Sequence, residues 1–260
     1  MKNKRKYVQL FIIFAIIFIC TSNTYAEPIF PFSFGFDVKP AESPSEVASS
    51  IQILLILTVL ALAPSILIMM TCFTRITIVL SFLRNALGTQ QMPPNQVLIG
   101  LALFLTIFIM APVGKELNEQ SFQPYIREEI TQQEALDRSS LTIKRFMLKQ
   151  LRNEDDLAFF TSLAKIKPNE GESTINPEAL PLTVVIPAFI ISELKIAFEM
   201  GFLIYIPFLI IDMVVSSTLM SMGMLMLPPI MISLPFKILL FIMVDGWQLV
   251  TSSLVRSFTT

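Results

Sequence analysis

The chain is 260 residues long, 53% hydrophobic and only 15% charged, with a mean hydropathy of +0.68. Soluble domains are ordinarily about 25% charged, so a membrane protein is indicated, and a formal charge of −1 offers no basic excess for nucleic acid. There is no histidine and no glycine-rich phosphate motif, which removes triad catalysis, His-ligated zinc and phosphate cradles together and leaves no call for an enzyme, a cofactor or a metal.

The first residues have the anatomy of a cleavable secretory signal. Lys2, Lys4, Arg5 and Lys6 precede an apolar run from Val8 to Cys20, and Thr24-Tyr25-Ala26 places small residues where a signal peptidase reads. Thirteen apolar residues are short for a membrane span, which needs about 20; an uncleaved anchor is the alternative. Cleavage between Ala26 and Glu27 leaves Cys72 as the one cysteine, so no intramolecular disulfide is expected. Residues 27–50 then form an extended, Phe- and Pro-rich segment and a helix start at Ser43-Pro44-Ser45-Glu46.

The first hydrophobic hairpin is placed at 51–114. Val47 to Thr74 carries no charge and is long enough to cross a ~30 Å hydrocarbon core, with Pro64 expected to kink it. Arg75 and Arg84 follow, in what the positive-inside rule makes a short cytoplasmic turn. Pro93-Pro94 then turns the chain into a second uncharged run.

Residues 115–181 hold 21 of the chain's 39 formal charges. Ile143, Phe146, Met147 and Leu151, and after a cap at Asn153 also Leu157, Phe160 and Ala164, recur at helical spacing. This stretch is expected to be a small helical insert outside the cytoplasm. A second hairpin follows at 182–260, with Pro207 inside its first helix and Pro228-Pro229 at its turn. The fold class is all-α: membrane-inserted helical hairpins interrupted by prolines, plus the insert.

Six charges stand in apolar surroundings after residue 181: Glu193, Lys195, Glu199, Asp212, Lys237 and Asp245. Each would cost roughly 2.5–3.5 kcal/mol facing lipid at a helix centre, so each needs a partner. Lys195 and Glu199 are four apart and can pair along one helix face. Glu193 points elsewhere, and Lys237 is its expected partner, within the chain or across subunits. The set is either glue between helices or an ion path; the latter, with broken helices, makes an ion-coupled transporter the rival class. Met220, Met222, Met224 and Met226 alternate around Gly223. Spacing of two suits a loop better than a helical stripe, and flexible thioethers either fill gaps or close around objects of varied shape.

Several runs resemble the FliP family of the flagellar type III secretion export gate. They are Phe73-Thr74-Arg75-Ile76 through Pro93-Pro94-Asn95-Gln96-Val97-Leu98, and Pro187-Ala188-Phe189 through Glu193-Leu194, followed by Ala197 to Phe202. The runs Pro207–Asp212, Met222–Pro229, Leu234-Pro235-Phe236-Lys237 and Val244–Leu249 belong with them. The resemblance implies several FliP copies, a homo-pentamer, joined with FliQ and FliR in a helical ring raised above the membrane plane. Unfolded flagellar export substrates pass through its channel. It further implies that Met222, Met224 and Met226 form the gasket sealing that channel, and that Glu193 and Lys237 are buried charges linking neighbouring subunits. Four membrane crossings then describe insertion into the bacterial inner membrane and not the assembled state.

Overall fold

The computed structural model describes residues 44–89, 92–166, 176–224 and 226–259, with side chains from Ile51 onward apart from Leu67 and Thr259. The signal peptide with its Ala26–Glu27 cleavage site, the extended segment to residue 42, the cap Ser43, most of the turn-rich stretch after Lys167, and Leu225 lie outside the described residues. Every regular element described is a helix. The chain divides at Leu54 into two units; of the first, the described part is the opening of a helix that begins at Pro44, as expected of proline at a first helical position.

That helix, α1 (Pro44–Met70), is apolar all round, and from Leu55 to Met69 most of its side chains are exposed. It is followed after two residues by α2 (Phe73–Leu87). Pro64 lies inside α1 without ending it; the break falls instead at Thr71-Cys72. There the Thr74 hydroxyl donates to the Ile68 carbonyl at 2.9 Å, satisfying one of the acceptors that a helix end leaves open.

The keystone is α2. Ile76, Val79, Leu80, Leu83, Ala86 and Leu87 are buried at three- and four-residue spacing, the signature of a helix with one face in a core. At about 2 kcal/mol for each large apolar side chain taken from water, this face is the strongest single contribution to the main cluster. Its neighbours are α3 (Asn95–Leu117) and α7 (Leu182–Ser221). Helix α3 gives the core only a seam, Leu98, Ala102, Thr106 and Ile109, while Phe104, Ile107 and Phe108 are exposed. It continues through a π-helical turn (Asn118–Phe122) into α4 (Gln123–Ile126).

The insert contributes α5 (Gln132–Gln150), opened by a reciprocal Thr131–Glu134 capping box, and α6 (Glu154–Leu163). Asn153 occupies the cap position of α6 but its side chain makes no capping bond. Met147 and Leu157 join Val184, Val185, Ala188 and Phe189 of α7 in a second cluster. Arg145 grips Glu178 at 3.0 Å, and that carboxylate pushes the guanidinium further above its ordinary value, so this tie persists across the physiological pH range.

Helix α7 is 40 residues long, about 60 Å at 1.5 Å per residue. Its first half is packed by the insert and by α2. From Phe202 onward most of it is bare, with Leu203, Leu209, Ile210, Met213 and Val214 exposed. Both of its prolines, Pro187 and Pro207, sit inside the unbroken helix. The return is made by α8 (Pro229–Met243) and α9 (Gly246–Thr259), which bend by 63° at Val244-Asp245. By length and composition, Asn95–Ile126 and Leu182–Ser221 can each cross a membrane, with the bent α8–α9 pair as a third candidate; the apolar stretch of α1, Ile51–Ile66, is shorter.

Where α7 crosses α2, Gly201 permits the approach. A Cβ there would stand 2.6 Å from two Phe82 ring carbons and 3.0 Å from its Cβ, and Phe82 is in turn held edge-on to Phe198 at 5.3 Å. Gly201→Val is therefore expected to lower stability by about 1–3 kcal/mol, read as a lower denaturation midpoint of the purified chain in detergent. Adding Phe82→Ala should recover part of that loss; no recovery would mean that the ring is not what the added methyls meet.

Candidate functional site

Inside the α2 face of apolar side chains stands Arg75. It is 1% exposed, and its partner Glu193 on α7 is 0% exposed. Arg75 Nε donates to Glu193 Oε2 at 2.9 Å, and a second guanidinium nitrogen donates to Glu193 Oε1. The third nitrogen donates to the Ser257 carbonyl at 2.9 Å and to the Ser257 hydroxyl at 3.0 Å; that hydroxyl in turn donates a hydrogen bond to the Leu254 carbonyl at 2.7 Å. The Phe258 ring covers the guanidinium, with its centroid 3.7 Å from the central carbon. Every nitrogen of the side chain is used, and α2, α7 and α9 are joined at one point.

This geometry corrects two expectations. Arg75 is not in a solvated cytoplasmic turn, because the chain breaks before it and returns to helix, carrying it into the core. Within the chain, Glu193 is bonded to Arg75 and not to Lys237. The reason is geometric: α7 lays its 193–201 segment against α2, which brings Arg75 and not α8 to Glu193.

Lys237, 3% exposed, has a site of its own on α8. Its ammonium donates to Asp212 Oδ2 at 2.6 Å, and Ser233, one turn earlier on α8, donates to Asp212 Oδ1 at 2.6 Å. Lys237 Nζ also lies 3.7 Å from where a Cβ would stand on Gly88, just past the end of α2. A cation there meets the partial negative charge of the last α2 carbonyls. The pairing expected within α7 also fails: Lys195 bonds Asp156 of α6 at 2.5 Å, and Glu199 bonds Arg152 in the α5–α6 connection. Asp245 is exposed at the left-handed hinge between α8 and α9 (φ 51°).

Met222, Met224 and Met226 lie in a loop, as their spacing implied, while Met220 is in the last turn of α7. Helix α7 ends at Ser221, and Gly223 takes φ 76°, a conformation that favours glycine. The Gly223 amide donates to the Met220 carbonyl and the Met224 amide to the Leu219 carbonyl, both at 3.0 Å, the paired bonds of a Schellman ending. Pro228 and Pro229 then start α8. Between these two stops Met222 is 71% exposed, Met224 42% and Met226 98%. The structure thus carries three solvent-facing thioethers on the tip of a hairpin whose base is pinned by the Lys237–Asp212 pair.

The model of the FliP family matches residues 56–254, a span that takes in both buried pairs and the methionine loop. Flagellar biosynthetic protein FliP of Bacillus subtilis (strain 168) is 58% identical over 222 residues, covering 85% of this chain and 98% of the relative. The chain belongs to the FliP family. Proteins of the same name from Aquifex aeolicus (strain VF5) and Borreliella burgdorferi (strain ATCC 35210 / DSM 4680 / CIP 102532 / B31) are 56% and 46% identical over 212 and 216 residues. The first covers 82% of this chain and 87% of the relative, the second 82% and 83%. Arg75 and Asp212, which the FliP resemblance had enclosed in its motifs without giving them a role, emerge as the partners of Glu193 and Lys237. A single arginine flanked by Ile76, Val79, Leu80 and Leu83 at core spacing was the signal available for the first.

Removing Glu193 alone strands a buried guanidinium. Glu193→Leu should cost about 3–5 kcal/mol, whereas Arg75→Met combined with Glu193→Leu should cost much less than the two single changes summed. Chemical denaturation of the four proteins in detergent measures this. Strict additivity would show that the two residues do not act as a pair.

Proposed function

We propose that this FliP-family chain is a core subunit of the flagellar type III protein export gate in the bacterial inner membrane. With FliQ, FliR and further copies of itself, a homo-pentamer in the full assembly, it forms the channel through which unfolded flagellar subunits are secreted. Insertion is directed by the signal peptide cleaved between Ala26 and Glu27, and the charged insert faces the periplasm. The chain performs no chemical step; it makes a path.

The observation that carries this reading is the exposed methionine loop. Met222, Met224 and Met226 are apolar, unbranched and presented to solvent on a hairpin tip, an arrangement that wastes apolar surface unless something closes against it. Thioethers from several copies would meet there and yield to a passing chain, because three rotatable bonds let each side chain re-pack around shapes that differ. The charges that suggested an ion path favour a structural role instead, since Glu193, Lys195, Glu199 and Lys237 each have a partner within the chain. Glu193 and Lys237 therefore enter any contact between subunits already paired at home.

Replacing Met222, Met224 and Met226 with glycine should raise the resting conductance of the assembled complex in planar bilayers while its co-purification with FliQ and FliR survives. An unchanged conductance would count against a sealing loop. Ion-coupled uptake by the chain alone in liposomes would count against the gate itself.

A further inference from the structure

Where α5 gives way to α6, the chain meets α7 and leaves a cleft of about 480 Å³ lined by Lys149, Arg152, Glu199, Met200 and Leu203, with the buried Arg75 on its wall. Its two sides differ in kind. The insert side brings Lys149 and Arg152, both exposed; no ion pair is made by Lys149 among the described residues. The α7 side brings Met200 and Leu203, and continues without interruption into the exposed Phe202, Ile206 and Leu209. The cleft is thus the seam between the charged insert and the bare half of α7. From Glu199 to the end of α7 at Ser221 is about 33 Å at 1.5 Å per residue, close to the ~30 Å of a hydrocarbon core. A bilayer that takes in the bare half places its headgroup layer at this seam.

We infer that the cleft binds an anionic phospholipid, its phosphate held by Lys149 and Arg152 and an acyl chain laid along Met200, Leu203 and Ile206. Basic clusters at such boundaries attract anionic headgroups, and a guanidinium beside an ammonium suits a phosphate oxygen set. Glu199 is the competing anion. Its pair with Arg152 is exposed on both sides, so releasing it costs little. The site is that of the subunit while its hairpins lie in the bilayer, and it rests on the membrane placement proposed above.

The test uses the full chain extracted from membranes in mild detergent and titrated with phosphatidylglycerol or phosphatidylcholine, with bound lipid counted by native mass spectrometry. Phosphatidylglycerol should be retained and phosphatidylcholine should not. Lys149→Gln, a surface change, should weaken retention about fivefold, and adding Arg152→Gln about fivefold again. Glu199→Gln should strengthen it, a sign that simple damage to the fold does not produce. Inorganic phosphate at the same concentration should leave the bound lipid in place. Equal retention of both lipids, wild-type retention by the double variant, displacement by inorganic phosphate, or a second copy of the chain occupying the cleft would each overturn the lipid site. Alkaline carbonate separates the two readings. A chain that stays with the membrane yet ignores the variants loses only the lipid site, and a chain that washes off loses both.

Discussion

A single buried ion pair organises this molecule. Arg75 and Glu193 are both out of water, and such a pair is stable only when every donor and acceptor it carries is met. Here the requirement is satisfied by three helices at once: α2 supplies the cation, α7 the anion, and the end of α9 a carbonyl, a hydroxyl and an aromatic face. None of the three can shift without exposing a charge to an apolar core. That is a constraint on geometry more than a gain in stability, because hydrophobic residues of similar volume would fill the same space at less desolvation cost. The pair therefore fixes where α7 leaves the core.

What α7 does after leaving follows from that fixation. Its first half completes the insert through Val184, Val185, Ala188 and Phe189 and closes on α2 at Gly201. Its second half receives little cover from its own chain, and α8 holds to it through Phe208–Phe241 ring contact at 6.4 Å and the Lys237–Asp212–Ser233 cluster. Such a hairpin is stiff along its length and apolar on its outside. In water that surface would be a liability; in lipid or against other subunits it is an interface. High hydrophobicity here therefore marks surface destined for cover, with a core that is comparatively small.

Much of this was legible in the residues before any geometry. Helical periodicity located the helices around Phe146 and Leu157, and the start at Pro44 followed from its place after a serine. Of the alternating methionines around Gly223, Met222, Met224 and Met226 lie in a loop, as spacing of two implied, and Met220 ends the helix before it. The pairings were not legible. Lys195 and Glu199 satisfy the four-residue rule on paper, yet each turns to the insert, because Asp156 and Arg152 lie across from them once α6 and α7 pack. Pro64 and Pro207 each remove one amide donor inside a helix that continues past them. The sharp turn at Asp245 is made by a left-handed residue, and Asp245-Gly246 is a dipeptide that marks turns, a signal hidden when Asp245 is weighed only as a charge in apolar surroundings.

The methionine loop is where the rigid and the yielding parts meet. Its entry is closed by the Schellman bonds at Gly223 and its exit by Pro228 and Pro229, so only a few residues between them are free of helical bonding. Below it, the Lys237 ammonium is bonded to Asp212 and lies beside Gly88 at the end of α2, which holds α8 in register with α7. A flexible side chain on a flexible backbone would seal nothing, and a rigid side chain on a rigid backbone would pass nothing. In the proposed gate, short backbone freedom with long thioether freedom would leave the side chains alone to accommodate a passing chain. On that proposal the buried charges, which sit well back from the tip, would keep the base in place while the methionines yield.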